Sequence, residues 1–262
     1  MIKVGFIGTG NMGGALARAA AKSGKFEIML ADKATDKAEA LAGEIGASAV
    51  DSLTLAKACE VIFLGVKPNI IPAAIDEIKE AVTDSALIVS MAAATDIAKI
   101  EACFGREVAV IRIMPNTPAM VGEGMILYSP NLAAESKTAL FLEIMEKAGT
   151  CDRLDEKLID AAACISGCGP AFVYMFIEAL ADGGVECGLP RDKAMLYAAK
   201  TLKGAAEVIL ATGEHPGVLK DAVCSPGGTT IEGVLALESG AMRATVINAV
   251  AAAYDKTLLM KK

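Results

Sequence analysis

The stretch from Lys3 to Ser23, KVGFIGTGNMGGALARAAAKS, decides the fold. An apolar run leads directly into the pattern G-x-G-x-x-G, and a helical pattern follows it. Gly8 allows a tight turn, Gly10 lets the backbone approach a pyrophosphate, and Gly13 lets the helix pack closely on the strand. The N–H groups and the dipole at the helix N-terminus favour a bound anion. The stretch therefore predicts a dinucleotide-binding loop, although a glycine-rich turn without a ligand would have the same pattern.

Similar apolar runs recur through the first half of the chain and predict the strands of one sheet. They are Lys3–Ile7, Glu27–Leu30, Val61–Val66, Ala86–Ser90, Val108–Ile113 and Met125–Ser129. Runs without alternation are typical of parallel strands that are buried on both faces. Helical patterns separate or follow them at Met12–Ser23, Asp36–Glu44, Ser52–Ala58, Pro72–Ala81, Thr95–Cys103 and Ala133–Ala148. This alternation predicts right-handed crossovers and a doubly wound, Rossmann-type parallel sheet of the α/β class.

After about Asp155 the pattern changes to long helical stretches rich in Ala, Leu and Met, which Gly and Pro separate. The predicted helices are Glu156–Ile165, Pro170–Val185, Arg191–Ala211, Pro216–Val223, Thr230–Leu237 and Met242–Leu259. Several of them begin at a proline, which the first turn of a helix tolerates. We therefore expect a dinucleotide-binding domain over residues 1–154 and an all-helical domain over residues 155–262.

The composition narrows the chemistry that this chain can perform. It has 262 residues, a net charge of −7 and a single histidine, His215. A Ser-His-Asp hydrolase, a histidine-rich zinc site or an HExxH protease would have to be built around that one side chain. A pI near 4.9 argues against nucleic-acid binding, which usually needs a clustered basic face. The composition favours chemistry supplied by an organic cofactor, and no metal site is expected.

The cysteines and the apolar stretches predict a cytoplasmic protein. The seven cysteines are odd in number and form no C-x-x-C pair. Because the N-terminus also shows no signal-peptide pattern, we expect the cysteines to be reduced thiols. The longest uncharged stretch, Ala161–Ile177, is interrupted by SGCGP and is shorter than the roughly 20 apolar residues of a membrane span. We expect no membrane association.

The choice of cofactor depends on Asp32, which follows the second predicted strand. An acidic residue there usually binds the ribose 2′-hydroxyl of NAD and repels the 2′-phosphate of NADP. Lys33 and Lys37 could attract that phosphate instead, or could simply be solvated charges. At this point the residues leave NAD and NADP open.

Other cofactor contacts are expected in the glycine loop and at the carboxyl ends of the parallel strands. The residues concerned are Gly8, Thr9, Gly10, Asn11, Met12 and Gly13 in the loop, and Val66, Lys67, Pro68, Ala92, Ala93 and Asn116 at the strand ends. Asn116 stands between two prolines, so its amide could face a nicotinamide or could hold a turn.

Two Gly-Pro clusters stand out in the helical half. The first, Ser166–Pro170 (SGCGP), is explained by a helix start with Ser166 as its cap and Pro170 in the first turn. The second, Ser225–Thr230 (SPGGTT), combines two glycines with three hydroxyls before another helix. That combination favours an anion-binding nest for a small carboxylate, and a plain helix start is the alternative.

Longer motifs occur along the whole chain: FIGTGNMG at 6–13, GVKP at 65–68, RIMPNTPA at 112–119, SGCGPAFVY at 166–174 and EHPGVLKDAVCSPGGTTIEGVLALESG at 214–240. With these motifs the sequence resembles the pyrroline-5-carboxylate reductases, and the last motif is the most specific. The resemblance implies NAD(P)H-dependent reduction of 1-pyrroline-5-carboxylate to L-proline, the last step of proline biosynthesis. It also implies a dimer with interlaced helical domains, often assembled into larger rings.

The same resemblance assigns roles to residues of the cluster Ser225–Thr230. Gly227, in the turn, is counted among the substrate-binding residues. The backbone N–H groups of Gly228, Thr229 and Thr230 would hold the substrate carboxylate. The Thr230 hydroxyl would bind the ring nitrogen, and Ser225 is counted with it among the catalytic residues.

Two positions depart from the family pattern. Cys168 stands where the family commonly has serine, which preserves the size of the side chain. Asp32-Lys33 replaces the Asn/Ser-Arg type of pair that often binds the 2′-phosphate, and this departure argues against a strict NADP preference. The resemblance implies NADP as the cofactor, with NAD possible. No catalytic histidine is needed, because a protonated cyclic imine is already an electrophile and the nicotinamide supplies the hydride.

Two other functions compete with this one. A β-hydroxyacid-type dehydrogenase would use a lysine as general acid on a central helix, with Lys193, Lys200 and Lys203 as candidates. A non-catalytic dinucleotide-sensing module would keep the glycine loop but would have no need of the SPGGTT loop.

Overall fold

We describe a computed structural model of the chain over residues 1–261. Its strands are β1 (Ile2–Ile7), β2 (Phe26–Ala31), β3 (Ser48–Ala49), β4 (Val61–Leu64), β5 (Leu87–Ser90), β6 (Ala109–Met114), β7 (Gly124–Pro130) and β8 (Gly149–Arg153). They form one sheet in the order β3-β2-β1-β4-β5-β6-β7-β8.

The strand order reverses at β1, which lies between β2 and β4. β1 is parallel to both neighbours, with Val4 opposite Ile28 on one side and Val61 on the other. Ligands of open α/β sheets bind outside the carboxyl ends of the strands at such a reversal. The loop Gly8–Gly13 begins directly after β1, so the topology places it at this position.

The predicted parallel sheet is confirmed except at its far side. β7 runs antiparallel to β6, with Ile113 opposite Tyr128. A short connection containing a 3₁₀ turn, Thr117–Val121, joins the two strands, and a parallel crossover would need a dozen or more residues. β8 was not predicted from the sequence because its residues, GTCDR, are polar and partly exposed and so form no apolar run.

The helices of this part are α1 (Asn11–Lys22), α2 (Thr35–Ile45), α3 (Ser52–Ala58), α4 (Ile71–Ile78), α5 (Ile97–Phe104), α6 (Thr138–Met145) and α7 (Glu156–Ser166). They cover two buried clusters, one on each face of the sheet. Successive residues of a strand point to opposite faces and so alternate between the clusters. Phe6 and Phe63 stack in one cluster with ring centroids 4.5 Å apart, while Ile7 and Leu64 lie in the other. The predicted helix over 133–148 is shorter than expected, since Leu132–Lys137 is a 3₁₀ turn that Asn131 caps.

The remaining helices are α8 (Gly169–Glu186), α9 (Arg191–Thr212), α10 (Pro216–Ala222), α11 (Thr229–Ser239) and α12 (Met242–Met260). By packing, the chain divides into one compact unit of residues 1–168 with the end of α12 from Ala253 onward, and a second unit of residues 169–252. α7 therefore packs with the sheet. The boundary at 154/155 stays a prediction, and it marks where strands give way to helices in the sequence.

The cluster SGCGP does not interrupt the helical run as the sequence suggested. Ser166 is the last residue of α7 rather than the cap of α8, and its hydroxyl donates to the Ala162 carbonyl. The N–H groups of Gly167 and Cys168 both donate to the Ala163 carbonyl, at 2.7 and 3.1 Å, so the chain continues almost directly into α8. By length and composition, the segment Glu156–Glu186 could cross a membrane, as could α11 and α12 together as a bent pair.

Candidate active site

Three glycines bring the loop after β1 against the loop after β4. Gly8 has a positive φ of 95°, and a Cβ there would lie 2.7 Å from the carbonyl oxygen of Gly65. A Cβ on Gly13 would lie 2.0 Å from the carbonyl oxygen of Gly8, and one on Gly65 would lie 2.7 Å from the same oxygen. Each of these atoms would collide with backbone. The close approach of the two loops therefore requires glycine at all three positions.

The start of α1 has the properties of an anion site. Gly10 is its N-cap, no side chain caps the first N–H groups, and the first turn contains no acidic residue. A Cβ on Gly10 would meet nothing within 4 Å, so the backbone here faces open space. The uncapped N–H groups and the helix dipole fit a phosphate group. Asn11 is exposed, whereas Met12 packs against the core and so offers only its backbone to a ligand.

A cavity of about 330 Å³ opens beside this helix start. Its lining includes Gly8, Gly10, Asp32, Lys33, Gly65, Val66 and Lys67. The structure thus brings together the glycine loop, the end of β2 and the end of β4, as the sequence predicted. The volume lies at the lower end of the range for small-molecule sites, and an open pocket of this kind suits part of a dinucleotide.

Other predicted contacts lie outside that cavity. Pro68 lines a separate cavity with Met260 and Cys103, Ala92 is buried at the end of β5, and Ala93 is half-buried beside it. Their contact with a cofactor stays a prediction.

The side chain of Asp32 points to the glycine loop. Its Oδ2 accepts hydrogen bonds from the Thr9 N–H at 2.7 Å and from the Thr9 hydroxyl at 3.0 Å, and its Oδ1 accepts from the Ala34 N–H at 3.0 Å. Burial alone would raise the pKa of Asp32, but these hydrogen bonds and the charge of Lys37 outweigh it and lower the pKa below its ordinary value. Asp32 is therefore a fixed carboxylate in the wall of the cavity.

The SPGGTT cluster forms a turn that leads into α11. Gly227 has a positive φ of 65°, and the N–H of Gly228 donates to the Ser225 carbonyl at 3.0 Å. The first N–H groups of α11, beginning at Thr229, have no side-chain cap, and Thr230 is exposed. The turn uses the Gly228 N–H in this structure, and the expectation that this N–H holds the substrate carboxylate stays a prediction. A Cβ on Gly228 would lie 2.3 Å from the Ser225 Oγ, so a larger residue there would require the Ser225 hydroxyl to rotate away.

Comparisons with known proteins agree with this geometry. The family model described as pyrroline-5-carboxylate reductase dimerisation matches residues 156–260, and the model described as NADP oxidoreductase, coenzyme F420-dependent, matches residues 3–94. The chain is 40% identical to the pyrroline-5-carboxylate reductase of Escherichia coli, over 99% of this chain and 98% of that one. It is 41% identical to the Arabidopsis thaliana protein of the same name, over 97% and 94%.

This chain belongs to the pyrroline-5-carboxylate reductase family.

A solved member of the family has the same fold. The Plasmodium falciparum pyrroline carboxylate reductase, whose crystal structure has NADP bound, superposes with a TM-score of 0.90 at 34% identity, over 100% of this chain and 98% of that one. The family membership confirms the predicted fold class, a Rossmann-type sheet domain followed by a helical dimerisation domain.

The dimerisation domain accounts for the exposed apolar surface on the helices of a single chain. Large apolar side chains on its helices are exposed, including Met175, Leu210 and Ile247 at 70%, 79% and 67%. Exposed apolar surface of this extent is typical of a protein–protein interface. The matched dimerisation model supplies the partner, a second copy of the chain, so the protein is a homo-oligomer.

Two polar residues near the family motifs have structural roles. Asn116 donates from its amide to the Ser166 carbonyl and accepts from the Met125 N–H, both at 2.9 Å, which is the turn role that the sequence left open. Its contact with a nicotinamide stays a prediction. His215 is the N-cap of α10, and its Nδ1 accepts from the Gly217 N–H at 3.1 Å. The single histidine is thus a helix cap.

The sequence did not reveal a buried ion cluster beneath β6. Arg112 is 1% exposed, and its guanidinium donates to Asp160 at 2.5 Å and approaches Glu156 at 3.5 Å. Asp160 also pairs with Lys261 at 2.5 Å, and Glu156 accepts from the Ile97 N–H at 2.7 Å. The cluster connects the sheet with α5, α7 and the end of the chain. The signal in the sequence was Arg112, a charged residue inside the apolar run Val108–Ile113, which indicates a buried counterion.

Proposed function

We propose that this protein reduces 1-pyrroline-5-carboxylate to L-proline, the last step of proline biosynthesis. One hydride adds to the ring carbon of the C=N bond, and the ring nitrogen holds or takes up one proton. A bound NADPH supplies the hydride at its nicotinamide, and NADH is the alternative donor. The protein's own residues bind and orient the reactants and stabilise charge.

The observation that carries the proposal is the turn at Ser225–Thr230. It sets the uncapped N–H groups at the start of α11, an eleven-residue helix, beside exposed threonine hydroxyls. A helix N-terminus favours a carboxylate, and a hydroxyl can bind a ring nitrogen at the same time. A substrate that combines a carboxylate with a cyclic imine matches this pair of features.

Within that turn the roles are distributed as follows. The N–H groups of Thr229 and Thr230 hold the substrate carboxylate, and Gly227 and Gly228 shape the turn. The Thr230 hydroxyl accepts from or donates to the ring nitrogen and so fixes the face that receives the hydride. Ser225, whose carbonyl closes the turn, is proposed as the second catalytic residue beside Thr230. A hydroxyl is a poor acid at neutral pH, so the nitrogen is protonated from solvent.

The cofactor contacts follow from the cavity beside α1. The N–H groups from Gly10 to Gly13 bind the pyrophosphate, and Asp32 and Lys33 meet the adenosine ribose. Val66 and Lys67 contact the dinucleotide from the end of β4. Ala92, Ala93, Pro68 and Asn116 are proposed contacts further along the strand ends.

The assembly and location complete the proposal. The homo-oligomer is a dimer with interlaced helical domains or a ring of such dimers. The enzyme works in the cytoplasm, with no nucleic-acid or membrane partner. The β-hydroxyacid alternative would instead need a general acid among Lys193, Lys200 and Lys203 on α9.

The assay of the proposed reaction follows NADPH and NADH consumption with 1-pyrroline-5-carboxylate at neutral pH, and cofactor reduction by L-proline at alkaline pH. Turnover in either direction is the expected result. No turnover with either cofactor in both assays would contradict the proposal. A parallel assay with 3-hydroxyacids tests the dehydrogenase alternative.

Replacing Thr230 by alanine is expected to lower kcat by about 100-fold, the scale for losing one donor aimed at the reacting group. The Kd for NADPH should change by less than about twofold, because Thr230 lies in the substrate turn. Stopped-flow turnover and fluorescence titration measure the two quantities. Thr245→Ala, which removes an α12 hydroxyl that donates to the carbonyl of Ala241 just before the helix, is the matched control. An unchanged kcat in Thr230→Ala would remove this hydroxyl from the site.

A further inference from the structure

The side-chain hydroxyl of Thr9, in the glycine loop, donates a hydrogen bond to Asp32. Pyrophosphate binding by the loop does not require this bond. Thr9 donates to Asp32 twice, from its backbone N–H and from its side chain, and both bonds end on the same carboxylate oxygen. The two residues are 23 positions apart, so the pair connects the glycine loop with the end of β2. Any residue with an N–H could make the first bond, but the second needs a hydroxyl.

These bonds restrict what the carboxylate can do. A carboxylate has about four acceptor positions, and Thr9 and the Ala34 N–H use three of them. One position remains for a donor such as a ribose hydroxyl. The hydrogen bonds also prevent the side chain from turning away from the cleft.

Charges of both signs surround Asp32, and the carboxylates lie mostly on the side of a second cavity. Asp32 lines the cavity beside α1 and also a second cavity of about 320 Å³, and Lys33, Ser52 and Glu77 line both. The second cavity adds Glu39 and Asp51 and no further cation to its lining. Lys33, which lines both cavities, Lys67, which lines the first, and the nearby Lys37 offset much of this charge. A phosphate brought close to Asp32 would meet like charge, whereas a hydroxyl would meet an acceptor.

We infer that Thr9 is a positioning residue for cofactor selection: by holding Asp32 in the cleft, its hydroxyl lowers the affinity for a dinucleotide with a 2′-phosphate relative to one with a 2′-hydroxyl. The inference rests on the proposed dinucleotide site and names the residue that sets its discrimination. Lys33 and Lys37 act in the opposite direction, so the protein accepts both cofactors and Thr9 sets the ratio.

The test is the ratio of Kd for NADP⁺ to Kd for NAD⁺, measured by calorimetry on the purified oligomer without substrate. Thr9→Val keeps the branched shape and the backbone N–H but removes the hydroxyl, and it should lower the ratio by about fivefold, the scale of one hydrogen bond. Thr9→Ser keeps the hydroxyl and should stay within about twofold of wild type. Asp32→Asn removes the charge and should lower the ratio by more than Thr9→Val. Thr138→Val, whose hydroxyl bonds only the Ala134 carbonyl, is the remote control.

The outcomes separate the inference from the proposed function. A ratio in Thr9→Val that is unchanged or raised would overturn the inference while wild-type binding stays intact. Equal weakening of both nucleotides would also overturn it, because that result indicates damage to the loop rather than selection. If wild type binds neither nucleotide, the dinucleotide site itself is refuted, and the inference with it.

Discussion

Gly13→Ala is expected to lower kcat/KM by about 100-fold or more and to reduce the thermal stability of the enzyme. The new Cβ would lie 2.0 Å from the Gly8 carbonyl oxygen, a backbone atom that other contacts hold in place. Gly8 cannot retreat easily, because its N–H donates to the Ala31 carbonyl at 2.7 Å and the Gly65 backbone lies behind it. α1 must therefore move away from β1, and a displacement of about 1 Å at a binding loop can cost two orders of magnitude in rate.

Two glycine controls make this result specific. Gly43 lies inside α2, where a Cβ would meet nothing within 4 Å, so Gly43→Ala should leave activity unchanged and stabilise the helix by up to about 1 kcal/mol. Gly10→Ala also meets nothing in the protein, so it should fold with near wild-type stability but place a methyl group in the path of the pyrophosphate. Calorimetric melting and NADPH titration distinguish these cases. Full cofactor affinity in Gly13→Ala would contradict the proposed geometry of the loop.

Asp160→Ala is expected to destabilise the folded protein by about 3 kcal/mol. It leaves the guanidinium of Arg112, which is 1% exposed, without its closest counterion. Breaking a buried ion pair from one side costs about 3–5 kcal/mol, and the half-exposed Glu156 at 3.5 Å remains as a partial counterion, which places the effect near the lower end. The variant also releases Lys261 from Asp160, so the end of α12 loses its ionic contact with α7.

Urea unfolding at one fixed protein concentration measures this effect, since an oligomer's apparent stability depends on concentration. Glu44→Ala is the matched surface control: it removes a carboxylate that Arg18 binds with two bonds of 2.7 Å, both exposed, and should leave the urea midpoint close to that of wild type. The double variant Arg112→Met with Asp160→Leu should regain most of the lost stability, because it removes both charges together. A loss below about 1 kcal/mol in Asp160→Ala would show that water reaches Arg112.

Most elements of the fold could be predicted because their signals are local. The apolar runs of β1, β2, β4, β5 and β6 and the helix α3 follow from patterns within a few residues. β8 and the antiparallel direction of β7 could not be predicted in this way. A polar edge strand such as GTCDR forms only because β7 offers it unpaired backbone groups, and strand direction depends on where the short turn at Thr117–Val121 sends the chain.

The sequence by itself determined the glycine loop and the order of the two domains, because glycine spacing and apolar periodicity express local backbone requirements. Its longer motifs carried the resemblance to the family. Only the tertiary structure decided which side chains meet across long distances in the chain. It placed Thr9 on Asp32, paired Arg112 with Asp160 and used the Gly228 N–H inside its own turn. Each of these depends on hydrogen-bond donors and acceptors that find partners only once the sheet has ordered the loops around them. Whether a hydrogen bond forms depends on a few tenths of an ångström in the distance between donor and acceptor, and sequence spacing does not specify that distance.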